Sequence, residues 1–116
     1  MKMFVEPSNI YLHRQFVDFR KSINGLSVII ESEMDLPIMS GALFIFCNKA
    51  KDKLKILYWD KTGFALWYKR LEKDKFKWPS RANEDYIDLT EQQLIWLLEG
   101  YDVIGHQHVS YQNIAL

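Results

Sequence analysis

Long apolar runs are missing from this chain. No stretch approaches the roughly 20 residues needed to cross a bilayer, and the N-terminus lacks the basic-then-apolar layout of a signal peptide. The expectation is a soluble, cytoplasmic protein with no membrane partner. Cysteine is nearly absent as well. The one thiol, Cys47, adjoins the apolar run Leu43 to Phe46, which reads as a small buried hydrophobe in a reducing compartment. No residue pattern around it spells out the low-pKa surroundings of a reactive thiol. Proline and glycine number 3 and 5 and do not gather with serine, so there is no linker, repeat or low-complexity segment to divide the chain. Catalytic fingerprints are also missing: no P-loop, no Gly-x-Ser-x-Gly, no Cys-x-x-Cys, no dinucleotide motif. Asp60 has no second carboxylate placed with it by local spacing, which removes support for two-metal nuclease chemistry. We read Asp60 as a hydrogen-bonded turn carboxylate. His106 and His108 have a His-x-His spacing but no local third ligand, so no metal site is expected. The expectation is a protein that is not an enzyme and needs no cofactor.

What is present fits one compact domain: 116 residues, 48% of them hydrophobic. We bound it at 1–100, with 101–116 as a C-terminal tail, docked or mobile. The net charge of zero hides an asymmetry. From Lys49 to Arg81 eleven Lys/Arg face four Asp/Glu, and the remaining residues reverse this with 4 against 11. Within that basic stretch Lys53/Lys55 and Lys75/Lys77 alternate with Leu54, Ile56, Phe76 and Trp78. Strand residues point to opposite faces in turn, so the spacing predicts ammonium groups on one side of a sheet and apolar groups on the other.

The hydrophobic pattern places the elements. Ile10 to Leu12 suits a short opening strand. Ile23, Leu26, Ile30 and Met34 follow a helical stripe with Ser22 as N-cap, stopped by Pro37 and Gly41. Residues 42–48 are apolar on both parities, the mark of a central strand buried on both faces. Residues 53–60, 64–71 and 75–78 read as three further strands, separated by turns at 49–52, Thr62-Gly63 and 72–74 and ended by Pro79. Residues 86–89 suit an edge strand. Thr90 and Gln93 form a capping box for a helix over 90–99 with a Leu94, Leu97, Leu98 stripe and a Gly100 stop. The predicted fold is α+β: an antiparallel meander of about four to five strands, packed on one face by two helices in two layers, with the lysine face left to solvent or a partner.

Several segments in register resemble a known family. Residues 16–26, Phe-Val-Asp-Phe-Arg-Lys-Ser-Ile-Asn-Gly-Leu, are similar to the opening signature of the TnpB-type accessory proteins of the IS-sixty-six family of bacterial insertion sequences. The resemblance continues through Ser-Gly-Ala-Leu-Phe-Ile-Phe at 40–46, Leu-Lys-Ile-Leu-Tyr-Trp-Asp at 54–60, Gly63-Phe64, Tyr-Lys-Arg-Leu-Glu at 68–72, Phe-Lys-Trp-Pro at 76–79 and Leu-Leu-Glu-Gly at 97–100. It implies a protein encoded beside a separate DDE-type transposase and needed for efficient movement of the element, and it implies no known chemistry. Lys73-Asp74 departs from the glycine that relatives often place before the Phe-x-Trp-Pro segment, and the tail after Gly100 falls outside the resemblance.

Three functional classes follow. The first is a DNA-binding accessory whose basic sheet face contacts phosphates rather than bases. Lys53, Lys55, Lys69, Lys75 and Lys77 carry it, with Trp59 and Trp67 as stacking platforms of matching parity, Arg20 and Lys21 as a further contact, and Arg70 turned inward or at a strand end. Asp18, Arg20 and Lys21 read equally as a salt-bridge and capping arrangement ahead of the first helix. The second class is an adaptor for the transposase or a companion accessory protein, anchored by exposed Trp59, Trp67 and Trp78. The third, a hydrolase using Asp18 or Asp60, ranks last. The edges of the meander leave a sheet-extended homodimer open, and a DNA-bound protein would associate with the nucleoid.

Overall fold

The computed structural model describes residues 7–79 and 84–103; His106, His108 and the tail beyond 103 lie outside them. Five strands form one mixed sheet in the order β4-β3-β2-β1-β5: β1 Ile10–His13, β2 Leu43–Cys47, β3 Lys53–Asp60, β4 Gly63–Arg70 and β5 Tyr86–Asp88. β2, β3 and β4 are a three-strand antiparallel meander. β1 adds to β2 in parallel, and β5 adds antiparallel to β1. The parallel step is possible because a helix, α1 (Ile23–Ile29), fills the crossover between β1 and β2. Every residue of β2 is buried, as its doubly apolar sequence requires.

Two apolar clusters share the sheet by parity. Leu43, Ile45 and Cys47 join Ile10, Leu12, Leu54 and Ile56 in a cluster under the second helix, α2 (Glu91–Leu98), which contributes Leu94, Leu97 and Leu98. Phe44 and Phe46 join Leu57 in a cluster under α1, which contributes Leu26 and Ile29. The helices therefore lie on opposite faces, and the arrangement is helix, sheet, helix. This corrects the two-layer expectation. The reason lies in β2: a strand apolar on both parities needs a cover on each side.

The helices differ in finish. Thr90 accepts from the Gln93 amide at 3.1 Å and donates its own amide to Gln93 Oε1 at 2.9 Å, the predicted capping box. Gly100, at φ 94°, closes α2 by a Schellman arrangement in which the Tyr101 amide donates to the Trp96 carbonyl and the Gly100 amide to that of Leu97. At α1, Ser22 is the N-cap but its hydroxyl makes no cap hydrogen bond. The helix widens into a π-helical turn over Ile30–Met34 and ends at Asp35 in the left-handed region.

Residues 75–78 do not form the fourth meander strand. The alternation survives, with Phe76 and Trp78 buried and Lys75 and Lys77 exposed, but the segment crosses the end of the sheet as a strap. The Phe76 amide donates to the Lys51 carbonyl at 2.7 Å. Trp78 is 6% exposed, and its indole N–H is shared between the carbonyls of His13 and Arg14 at 3.2 and 3.1 Å. Anchoring the strap beneath α2 satisfies this polar tip, which a further edge strand would not do. Among the described residues no helix is long and apolar enough to cross a membrane.

Candidate nucleic-acid interface

Cross-strand register decides which cations share a surface. A two-residue turn, Lys61-Thr62, joins β3 to β4, so Lys53 lies opposite Arg70, Lys55 opposite Tyr68, and Trp59 opposite Phe64. Odd positions of β3 therefore meet even positions of β4 on the α1 side. Lys69 and Trp67 pair with Leu54 and Ile56 and face α2 instead, which corrects their expected place beside Lys53 and Lys55. Lys69 is engaged there: its ammonium donates to the Leu98 carbonyl at 2.9 Å, a cation on the negative end of a helix dipole. Arg70, expected to point inward or to sit at a strand end, is the last residue of β4, exposed on the Lys53 side, and donates to Glu72 at 2.8 Å.

Lys55 is also used inside the fold. Its ammonium donates to the carbonyls of Phe19 and Lys21, both at 3.0 Å, and lies 4.7 Å from the Phe19 ring centroid. Burial pushes its pKa below the ordinary lysine value. The effect is to pin the Phe-Arg-Lys loop onto the sheet. Within that loop the Asp18 carboxylate accepts from the Arg20 guanidinium and from the Arg20 amide, at 2.9 Å for the latter. These bonds pull the Asp18 pKa down to about 2. The salt-bridge reading of this segment therefore holds, although the Arg20 side chain is 92% exposed and its outer edge still faces solvent. The half-buried Lys53 has no hydrogen-bond partner for its ammonium among the described residues, and Lys21, Lys75 and Lys77 are exposed.

The tryptophans stand apart from the lysines. Trp59 shares the Lys53 face but lies six residues along β3, about 20 Å away at strand rise, with its ring edge-on to Phe64 at 5.1 Å. Trp67 packs against the α2 cluster. Trp78 is buried, so it offers no exposed anchor. Among the aromatics that do stand with the cations are Phe19 and Tyr68. Together with Lys53 and Lys55 they line a concavity of about 290 Å³. Sequence reasoning missed both residues, although a two-residue hairpin turn would have revealed the odd-to-even pairing that brings Tyr68 and Arg70 to this face.

Topology then gathers the charge. β1 and β2 end, β3 begins and β4 ends at the same end of the sheet. The adjoining loops are tied together by bonds from the Val17 amide to the Cys47 carbonyl and from Leu71 to Asp52. Segments 14–22, 48–53 and 70–79 bring Arg14, Arg20, Lys21, Lys49, Lys51, Lys53, Arg70, Lys73, Lys75 and Lys77 there, against Asp18, Asp52, Glu72 and Asp74. Glu84 and Asp85 lie beside Arg14 and reduce this excess without cancelling it.

Of the groups with catalytic potential, Cys47 and His13 are engaged inside the fold and Asp60 is not. Cys47 is buried, and burial raises its thiol pKa to about 12. Asp60 is exposed, and among the described residues its carboxylate accepts no hydrogen bond; the backbone carbonyl closes the turn instead, a correction to the expected carboxylate bond. His13, which the sequence did not single out, is buried, with one ring nitrogen 2.8 Å from the Gln15 carbonyl and the other 3.2 Å from Glu33. Both ring nitrogens are thus engaged within the fold. No group of three or more His, Cys, Asp or Glu among the described residues could hold a metal ion.

No solved structure matches the chain. Two proteins of Sinorhizobium fredii (strain NBRC 101917 / NGR234) are similar over 93 residues: the uncharacterized protein y4jC at 32% identity, covering 80% of this chain and 79% of its own length, and the uncharacterized protein y4hO at 30%, covering 80% of each. The family model described as IS66 Orf2 like protein matches residues 8–108, a span that holds the sheet, both helices and the basic end, and the chain belongs to that family.

Proposed function

We propose that this chain is a non-catalytic accessory protein of IS66-type transposition that holds DNA by its phosphates. The carrying observation is the convergence of three loops at one end of the sheet, where exposed Arg70, Lys75 and Lys77 and half-buried Lys53 stand with Arg20 and Lys21. Phosphate binding needs several cations on one rigid surface, because each neutralised phosphate releases counterions. Backbone bonds tie the loops to one another and to β2, which supplies that rigidity. Arg70 and Arg20 keep a carboxylate partner in the free protein. Exposed pairs of this kind are worth at most about 1 kcal/mol, so a phosphate competes with them readily.

The test is a salt series of DNA binding by the full chain and by a variant carrying Lys53→Glu, Arg70→Glu, Lys75→Glu and Lys77→Glu. Binding should weaken linearly in log salt, with a slope of about 0.9 per phosphate contact, and disappear in the variant. Salt-independent binding, or a variant that binds as well as the parent, sinks the reading.

A second reading has its own support. β4 is eight residues long and forms one edge of the sheet, so among the described residues it presents an unpaired backbone edge that a partner strand could extend. Through it the protein would act as an adaptor for the transposase or a companion protein, or pair with a second copy. Co-purification with the transposase that survives the charge-reversal variant would favour this reading.

A further inference from the structure

We propose that the concavity between Phe19 and Tyr68 is a subsite for one unpaired nucleotide, so that the protein prefers single-stranded or frayed DNA to intact duplex. This deepens the DNA-binding reading above and rests on it. The walls are aromatic: the Phe19 ring on the loop before α1 and the Tyr68 ring on β4, which is 49% exposed. Lys55, directly across from Tyr68, forms the floor. Its ammonium is already committed to two carbonyls and to the Phe19 ring, so its role is to hold the Phe19 wall in place and not to contact phosphate. Lys53 lines the same concavity, and its cross-strand partner Arg70 stands next to Tyr68 on the same face. The arrangement supplies a ring to stack on and two neighbouring cations at one end for an adjoining phosphate.

A volume of about 290 Å³ lies at the small end of ligand cavities and suits a single planar group. A paired base cannot enter it, because in a duplex its faces are covered by its neighbours. An unpaired base exposes both faces, and stacking on tyrosine tolerates any base. Solubility alone would favour a polar residue at position 68, where a half-exposed ring instead sits among cations.

The experiment is fluorescence-anisotropy binding of the full chain at one low salt concentration to three probes: a mixed-sequence single strand, the same strand with abasic sites, and its duplex. Wild type is compared with Tyr68→Ala, Tyr68→Trp and the double variant Lys53→Glu, Arg70→Glu. The single strand should bind more tightly than the duplex, and the abasic strand more weakly than the intact one. Tyr68→Ala should weaken single-strand binding about 5- to 150-fold, the range for losing one stacked base, with duplex binding unchanged and Tyr68→Trp restoring affinity. The double variant should weaken every probe. Equal binding of abasic and intact strands, or a Tyr68→Ala effect shared by the duplex, overturns the subsite while leaving phosphate binding intact. Failure of all three probes to bind wild type overturns both.

Discussion

The two faces of the sheet are built from the same strands and finished differently. On the α2 side the helix has a capping box, a Schellman end and Lys69 on its last carbonyls, and the Trp78 strap closes the cluster below it. On the α1 side the cap hydroxyl is unused, the helix loosens into a π turn, and the sheet beyond it carries exposed Tyr68 and Arg70. Equal hydrophobicity along β2 thus supports one sealed face and one face open at its basic end. Stability should reside in the first and recognition in the second, since a surface that meets a partner has to leave polar and aromatic groups uncovered.

The sharpest way to break that comparison is at Trp78. Removing it with Trp78→Ala empties a buried site and strands two carbonyls, so urea unfolding should show a loss of about 3–5 kcal/mol. Tyr68→Ala, on the open face, should stay within about 0.5 kcal/mol. Comparable losses at the two positions would remove the distinction. Next in size is Lys55→Met. It deletes the bonds to Phe19 and Lys21 and should cost about 1–2 kcal/mol, accompanied by faster hydrogen exchange at the amides of 18–21. A loop that exchanges as before would show that Phe19 packing alone holds it.

The caps make a smaller contrast. Thr90→Ala should cost about 1 kcal/mol, whereas Ser22→Ala, which removes no cap hydrogen bond, should change stability by under about 0.5 kcal/mol. The smallest expected effect is electrostatic. Asp18 titrates near pH 2 in the folded protein, below its ordinary value near 3.9. Its contribution is therefore present above that ordinary value and lost as pH falls through about 2. Carboxyl chemical shifts should report the low midpoint, and Arg20→Ala should return it toward 4.

The reading of individual elements succeeded where the signal is local. Thr90 with Gln93, the apolar stripe of α2, the Gly100 stop and the doubly apolar β2 each depend on residues within one turn or one strand, and all stand where the pattern put them. The candidate site was legible only in part. Lys75 and Lys77 are exposed as expected and Lys53 is half-buried, but Lys55 and Lys69, expected on a face open to solvent or a partner, are bonded within the fold, because alternation reports which way a side chain points, not what it meets there. The misplacement of Lys69 and Trp67 came from carrying odd parity across a hairpin that pairs odd with even. Trp59 has the expected parity yet stands too far along β3 to join the cations.

The sequence by itself determined the five strands of the sheet, the capped helix, the buried thiol, the local excess of positive charge and the family, because each is written in nearest neighbours, periodicity or motif order. Only the tertiary structure decided that β1 joins β2 in parallel, that the two helices take opposite faces, that Phe76 and Trp78 form a strap, and that Phe19, Lys53, Tyr68 and Arg70 meet. Those outcomes depend on which distant backbone groups find partners and which apolar faces need covers, and both are settled by packing in three dimensions.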